Sequence, residues 1–299
     1  MRQQTIAEKV GCTGVGLHSG RPVQLSLHPA RVNAGIVFTR TDLPAAPEIP
    51  ARPGAVSSTQ FATTLARDGV SVATVEHLLA AAHALGIDNL RVEVDGPEVP
   101  VMDGSAADFS YLLRSAGLFP QRALRPALRI RCPIAVEEGD RRIRVEPAPR
   151  LRVSYAVDFE HPAIGRQEYH LERLEARLFE RELAGARTFG FLSEVQDLWR
   201  AGFARGGSLD NAVVLDGQGV VNPEGLRWPD EFVRHKVLDL LGDLALLGLP
   251  LLGHVVVERG GHSLHQRLVA GILDTPAAWR IEEPGSPLGP PADLPGLAL

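Results

Sequence analysis

The strongest chemical signal in the sequence is a set of ionisable side chains at helical spacing. His235, Asp239 and Asp243 recur every four residues in a segment otherwise rich in leucine, so a helix would present them on one face. A histidine and a carboxylate one turn apart can offer two ligands to one metal ion. Taken alone, the same spacing also suits a histidine and carboxylate that are hydrogen-bonded to each other inside a core.

A second segment places a carboxylate directly beside a histidine. Glu76 and His77 begin a run rich in alanine and leucine, and adjacent residues of a helix point ~100° apart. His77 could therefore bind a metal ion while Glu76 addresses a water molecule on the open side, as in zinc hydrolases that use Glu and His. Alone, this dipeptide also fits an ordinary, partly exposed helix start.

His77, His235 and Asp239 together form a set of two histidines and one carboxylate. This set leaves a fourth position of Zn²⁺ open, which is typical of a catalytic rather than a structural zinc site. Fe²⁺ uses the same three ligands, so the sequence predicts one zinc ion, with Fe²⁺ as the alternative. Magnesium or calcium would require more oxygen ligands.

The composition narrows the class of protein. The 299 residues are 44% hydrophobic and 22% charged, with 31 Lys+Arg against 36 Asp+Glu and a net charge of −5. These values predict a globular protein, and without a basic excess we expect no nucleic-acid partner. Two cysteines and the lack of a secretory signal pattern predict a reducing compartment, the cytoplasm. A monomer is expected because no coiled coil or large apolar surface is evident.

Residues 237–257 have the length of a membrane span, but Asp239, Asp243 and His254 lie inside it. A carboxylate in mid-bilayer costs ~3 kcal/mol on insertion scales, so a buried helix followed by a buried strand is predicted instead of a transmembrane segment. Pro250 marks the break between them.

The periodicity of the rest of the chain predicts the elements that carry these residues. Helices are predicted at 74–85, beginning at a capping-type Thr74, and at 106–116, 171–183, 195–204 and 229–247. Strands are predicted within 7–37 and at 89–94, 128–136, 141–146, 151–159, 212–215 and 253–258. Both halves run from strands to helices and back to a strand, which predicts an α+β fold.

This order predicts two similar α/β-sandwich domains, a duplicated β-α-α-β-type unit with the site between the two copies. The first domain is expected at 1–122 and the second at 127–273, joined by a linker. Residues 275–299 contain six prolines and little periodicity, so a mobile tail is predicted there.

Six motifs, in their order and spacing, resemble those of the UDP-3-O-acyl-N-acetylglucosamine deacetylase family. They are TVEH at 74–77, DGPEVPVMDGS at 95–105, ARTFG at 186–190, GSLDN at 207–211, HKxxD at 235–239 and GH at 261–262. The resemblance covers roughly residues 2 to 270. It implies zinc-dependent removal of the N-acetyl group from a UDP-3-O-acyl-N-acetylglucosamine, with release of acetate, the committed step of lipid A synthesis in Gram-negative bacteria.

The resemblance also implies catalytic roles. It assigns the zinc ligands to the trio His77, His235 and Asp239. Glu76 would be the general base that takes a proton from the attacking water. His262, expected on a glycine turn after the last strand, would stabilise the oxyanion as an imidazolium and then protonate the departing amine. Asp243 would orient and charge that histidine.

Further residues are matched to substrate binding. Thr188 would help to hold the oxyanion, and Lys236, one of only two lysines, would contact the substrate or the oxyanion. Phe159 matches an aromatic residue that stacks on uracil, and an apolar insert that includes Phe189 would line an acyl passage or simply pack the core. The remaining predicted substrate contacts are Arg141 and Arg259 near the diphosphate, and Leu17 and His18 in a loop near the site.

Two other classes of function stay open at this level. One is a metal-containing module that binds a UDP-sugar or a lipid without catalysis, although binding alone needs neither Glu76 nor His262. The other is a zinc amidohydrolase that acts on a different acylated amine. Dependence on the nucleotide distinguishes the second alternative from the deacetylase.

Overall fold

The computed structural model describes residues 1–283. The strands of the first half are β1 (Arg2–Ile6), β2 (Val10–Val15), β3 (Pro22–Pro29), β4 (Ile36–Arg40), β5 (Glu48–Pro50), β6 (Val56–Ser58), β7 (Thr64–Arg67), β8 (Val70–Val72), β9 (Leu90–Val94) and β10 (Leu118–Leu124). Those of the second half are β11 (Ala127–Ile130), β12 (Ile134–Glu138), β13 (Arg141–Glu146), β14 (Arg152–Phe159), β15 (Gly165–Leu171), β16 (Phe189–Phe191), β17 (Val213–Leu215), β18 (Leu251–Leu252), β19 (His254–Glu258) and β20 (Trp279–Glu282). The helices are α1 (Glu76–Leu85), α2 (Ala107–Ser115), α3 (Ala176–Glu182), α4 (Val195–Arg200), α5 (Glu231–Ala245) and α6 (His262–Asp274).

The two halves share one sheet topology. Five strands form a sheet in the order β2-β3-β9-β4-β5 in the first half and β12-β13-β19-β14-β15 in the second. In each sheet the pair β9-β4 or β19-β14 is parallel, whereas every other neighbouring pair is antiparallel. One helix precedes the central strand and one follows it in both halves. The predicted α+β class is confirmed, and the shared topology is that of a duplicated unit.

Helices α1 and α5, one from each half, meet at a close crossing. Helix α1 packs against α5, α2 packs against β2, and α6 packs against β12 and β13. A Cβ added at Gly242 of α5 would lie 2.1 Å from the Glu76 carbonyl oxygen of α1. Only glycine allows the two helices to approach so closely, and this crossing brings Glu76 and His77 next to the buried face of α5.

Each half carries an insert at the same point of its topology. The insert lies between β5 and α1 in the first half and between β15 and α5 in the second. In the first half the insert is the small antiparallel sheet β6-β7-β8. In the second half it contains α3, α4 and the parallel pair β16-β17. Both inserts contribute residues to the cleft between the two halves.

Some elements differ from the sequence-based predictions. Helix α6 was not predicted, so His262 is the first residue of a helix rather than a turn residue. Strand β15 was also missed, and α3 begins only at Ala176. Thr74 does not cap α1: its φ is +58° and its hydroxyl donates to Glu98. These features depend on contacts distant in the chain, which local periodicity does not reveal.

The limits of the two halves in the structure also differ from the predicted domain boundaries. Strand β10 continues to Leu124 and pairs with β1, so the first half extends past the predicted limit of 122 into the expected linker. The prediction of a mobile tail from 275 is wrong for its first part, because Trp279–Glu282 pairs with Ala127–Ile130 and supplies an edge strand of the second half. Residues 284–299 lie outside the described residues.

Within residues 1–283, no helix is both long enough and apolar enough to cross a bilayer. The segment 237–257 divides into the buried end of α5 and the strands β18 and β19, as its internal carboxylates predict.

Candidate metal centre and active site

Three ligand-type atoms converge where α1 crosses α5. The Nε2 atoms of His77 and His235 lie 3.6 and 3.3 Å from Asp239 Oδ1, and one ligand atom from each of the three residues lies within 4.8 Å of the others. His77 comes from α1, whereas His235 and Asp239 are one turn apart on α5. The structure therefore brings the predicted trio together from both halves of the chain.

The environment of the trio fits a divalent cation. Asp239 Oδ1 is buried without a hydrogen-bond partner among the described residues, although an ionised carboxylate oxygen in that position requires a positive partner. His235 Nδ1 donates to the Ala186 carbonyl oxygen at 3.0 Å, which leaves Nε2 as a lone-pair donor, as in most metal-bound histidines. Burial lowers the pKa of His235 to about 3, so the imidazole is neutral and able to ligate.

Glu76 is a buried carboxylate beside the trio. It is 2% exposed, and its Oε2 accepts a hydrogen bond from the backbone N–H of Thr63 at 3.1 Å. Burial raises the pKa of Glu76, against the opposing effect of His262 and His77. A carboxylate with a raised pKa in a buried site is suited to accept a proton from water.

His262 borders the same centre from the second half of the chain. Its Nε2 is 3.7 Å from Glu76 Oε1 and 3.9 Å from Asp239 Oδ2, while its Nδ1 is 2.8 Å from Asp243 Oδ2. Burial alone would lower its pKa, but the carboxylates of Asp243, Asp239 and Glu76 together raise the pKa of His262 to about 9. The imidazole is thus held as a cation that can donate a proton through Nε2.

Asp243 is fully buried and accepts four hydrogen bonds. Its Oδ2 lies 2.8 Å from Nδ1 of both His262 and His265, and its Oδ1 accepts from the Thr63 hydroxyl and the Gln266 amide. Burial would raise its pKa, but the two imidazoles lower the pKa of Asp243 below its usual range. It remains an anion that fixes the position of His262.

Lys236 and Thr188 lie at the edge of the centre and make different kinds of contact. Lys236 Nζ lies 2.7 Å from Asp239 Oδ2, so its ammonium pairs with the second oxygen of the ligand carboxylate. The predicted contact of Lys236 with the substrate or the oxyanion stays a prediction. Thr188 lies just before β16 and faces the cavity. Its backbone is held by Gly104 and Val213 through hydrogen bonds of 2.8 Å.

A cavity of about 370 Å³ opens onto this centre. Twelve of the fourteen predicted site residues line it: Leu17, His18, Glu76, His77, Arg141, Phe159, Thr188, Phe189, His235, Lys236, Asp239 and His262. Of the other two, Asp243 lies behind His262, and Arg259 lines a separate surface cavity next to Arg141. The guanidinium of Arg259 is bound by the carboxylates of Asp140 and Asp158.

Aromatic side chains form two groups at the cavity. Phe159 and Phe189 meet edge to face with ring centroids 5.8 Å apart, next to His235. In the second group, the ring centroids of His18 and Phe203 are 5.3 Å apart, and those of Phe203 and Phe61 are 5.0 Å apart. Sequence patterns did not single out Phe61, since a lone exposed aromatic residue in a loop carries no periodic signal.

The loop that carries His18 is tied down by a buried carboxylate. Glu98 is 2% exposed and accepts hydrogen bonds from the backbone N–H groups of His18 and Ser19 at 2.9 and 2.8 Å, and from the Thr74 hydroxyl at 2.9 Å. Burial lowers the pKa of His18. His18 Nδ1 accepts a hydrogen bond from the Ala204 N–H at 3.4 Å, so the ring is a polar contact between the two halves at the cavity wall.

A buried set of two imidazoles and a carboxylate, flanked in a cleft between the two halves by a second carboxylate and a third imidazole, is an arrangement found in hydrolases that use a metal ion. A comparison with known protein families identifies the family of this chain. The model of the UDP-3-O-acyl N-acetylglycosamine deacetylase family matches residues 3–274. The chain therefore belongs to this family.

Close relatives cover nearly the whole chain. The UDP-3-O-acyl-N-acetylglucosamine deacetylase of Anaeromyxobacter dehalogenans is 49% identical over 300 residues, which are 99% of this chain and 96% of the relative. The protein of the same name from Myxococcus xanthus is 50% identical over 279 residues, 93% and 88% of the two chains. That from Nitratidesulfovibrio vulgaris is 52% identical over 265 residues, 89% and 85% of the two chains.

Proposed function

We propose that this protein hydrolyses the acetamide of a UDP-3-O-acyl-N-acetylglucosamine to acetate and a free 2-amino sugar, the committed step of lipid A biosynthesis. One observation supports this most directly: Glu76 and His262 both lie beside the His77, His235 and Asp239 set, with 3.7 Å between Glu76 Oε1 and His262 Nε2. A base and an acid at this separation can both reach one small reacting group.

We assign one zinc ion to the trio. Two imidazoles and one carboxylate suit Zn²⁺, and Fe²⁺ is the alternative that the same ligands accept. When bound, the ion would polarise the acetamide carbonyl and acidify water. The unpartnered Asp239 Oδ1 is the feature of this chain that most requires such a cation.

The residues of the chain supply the proton transfers. Glu76 accepts a proton from water as the oxygen of that water bonds to the acetamide carbon, and Thr188 donates a hydrogen bond to the developing oxyanion. His262 then gives its Nε2 proton to the sugar nitrogen as the carbon–nitrogen bond breaks, because an amine leaves poorly as an anion. Asp243 holds His262 in the orientation that this transfer needs.

The remaining lining residues are assigned to the substrate. Phe159 offers a half-buried ring for stacking on uracil, and Arg141 offers a guanidinium for the diphosphate. Phe189 and the aromatic group at His18 provide apolar walls for the acyl chain. Arg259 can join the diphosphate only by exchanging its bonds to Asp140 and Asp158. A monomer in the cytoplasm remains the prediction from sequence.

Acetate release tests the proposal. Purified protein is incubated with a UDP-3-O-(hydroxyacyl)-N-acetylglucosamine before and after chelation, and zinc is then added back stepwise. We expect chelation to abolish release and about one equivalent of zinc to restore it. The same substrate without its UDP group should not be turned over.

Three results would contradict the proposal in different ways. No release from metal-loaded protein across several acyl lengths would favour a binding module. Full turnover of the substrate that lacks UDP would favour a zinc amidohydrolase with another substrate. Release that survives complete removal of metal would refute the assigned role of the trio.

A further inference from the structure

Thr63 lies between the proposed base and the proposed acid, in a loop that the sequence analysis did not single out. It is 0% exposed and immediately precedes β7. Its backbone N–H donates to Glu76 Oε2 at 3.1 Å, and its hydroxyl donates to Asp243 Oδ1 at 2.6 Å. One residue therefore contacts the base in the first half of the molecule and the partner of the acid in the second.

The hydroxyl and the acid share a single carboxylate. The Thr63 hydroxyl binds Asp243 Oδ1, while His262 Nδ1 binds Asp243 Oδ2 at 2.8 Å. Thr63 Oγ1 is also 3.3 Å from His262 Nδ1. Because an ionised carboxylate only accepts hydrogen bonds, the hydroxyl proton points to Asp243. The three groups thus fix one another's orientation.

The backbone of Thr63 is joined to the start of α1. Its carbonyl oxygen accepts a hydrogen bond from the N–H of Val75 at 3.3 Å, directly before Glu76. A displacement of Thr63 would therefore move the beginning of the helix as well as the N–H that holds the Glu76 carboxylate. A small shift of this kind is costly where proton transfers depend on alignment.

We propose that Thr63 is a positioning residue that sets the placement of His262 relative to Glu76 through the hydroxyl bond to Asp243. Its role in turnover rests on the proposed deacetylation. The fixed orientation of the His262 ring does not depend on that function, and it can be observed separately.

The test compares four substitutions. Thr63→Val and Thr63→Ala remove the hydroxyl, with and without a second methyl group against the carboxylate, and Thr63→Ser retains it. Thr64→Val makes the same chemical change one residue later, in β7, where the side chain is half-buried and outside the cavity. For each variant we measure kcat and KM for acetate release, the bound metal, and the low-field proton resonance of His262 Nδ1–H, which is assigned by its loss in His262→Gln.

We expect Thr63→Val and Thr63→Ala to lower kcat by about 10- to 100-fold, part of the effect of a general acid, with KM and metal content unchanged. Thr63→Ser and Thr64→Val should stay within about threefold of the parent protein, since neither removes the hydroxyl that binds Asp243. The His262 resonance should shift in the two hydroxyl-free variants only.

The proposal is overturned if both hydroxyl-free variants keep the parent kcat and the parent resonance, or if Thr63→Ser loses as much activity as Thr63→Val, since packing would then be the cause. A parent protein that releases no acetate would refute the proposed function but not this role: a resonance shift confined to Thr63→Val and Thr63→Ala would still support positioning. An unshifted resonance in that case would overturn both.

Discussion

At the scale of single residues, the two buried carboxylates Asp243 and Glu76 differ in the number of hydrogen bonds that they accept. Asp243 is bound by four donors, whereas Glu76 receives one backbone N–H. Both are buried, yet the pKa of Asp243 is lowered and the pKa of Glu76 is raised. Groups whose environments push their pKa values apart take different roles, here a permanent anion and a proton acceptor.

A single histidine away from the centre makes stability depend on pH. His83 of α1 donates through Nδ1 to the Leu241 carbonyl oxygen of α5 at 3.0 Å, and burial lowers its pKa from 6.5 to about 4. Between these two values the unfolded chain binds a proton and the folded protein does not. The contribution of His83 is therefore fully present above pH 6.5 and is lost as the pH falls towards 4.

We expect His83→Asn, which keeps a donor for Leu241, to reduce this pH dependence. Because the ring is only partly buried, the reduction should be about 2 kcal/mol between pH 7 and pH 4. Urea unfolding of the metal-free parent and variant at several pH values measures it. Parallel stability curves for the two proteins would contradict the assignment.

At the scale of elements, the crossing of α1 and α5 is the contact that assembles the centre. Glu76 and His77 begin α1, while His235, Asp239 and Asp243 lie along α5. The separation of the two helices therefore sets the distance between the ligands.

Gly242→Ala tests this crossing. The added Cβ would lie 2.1 Å from the Glu76 carbonyl oxygen, so the helices must separate, and we expect a loss of about 2 kcal/mol in the free energy of unfolding together with weaker metal binding. Gly271→Ala in α6 is the matched control, since its Cβ would meet Ile134 Cγ2 at an ordinary 3.6 Å. Urea unfolding and metal titration of both variants give the comparison. Equal stability of the two variants would show that α1 and α5 are not held by this contact.

At the scale of the whole molecule, the sequence predicts the elements and the ligand trio but misses several contacts between residues that are distant in the chain. The spacing of His235, Asp239 and Asp243 indicates one helix face, and the structure has it. The position of His262 at the start of α6 was not predicted, because its segment contains two glycines and its partner Asp243 belongs to another helix. Thr63 was missed for the same reason: it binds a carboxylate 180 positions away along the chain.

The duplicated topology explains where the site lies. Each half contributes a sheet, a pair of helices and an insert, and neither half contains both Glu76 and the α5 residues. The predicted fold class followed from the alternation of strands and helices. The sheet order did not, because strand pairing is set by contacts between distant segments.

The most direct test of the account is the activity of Glu76→Gln with its metal content measured on the same sample. The substitution keeps the size of the side chain but removes its charge and its ability to accept a proton, so kcat for acetate release should fall by at least about 100-fold while about one metal ion per chain stays bound. Activity within about tenfold of the parent, with the metal still bound, would contradict the role of Glu76 as the base.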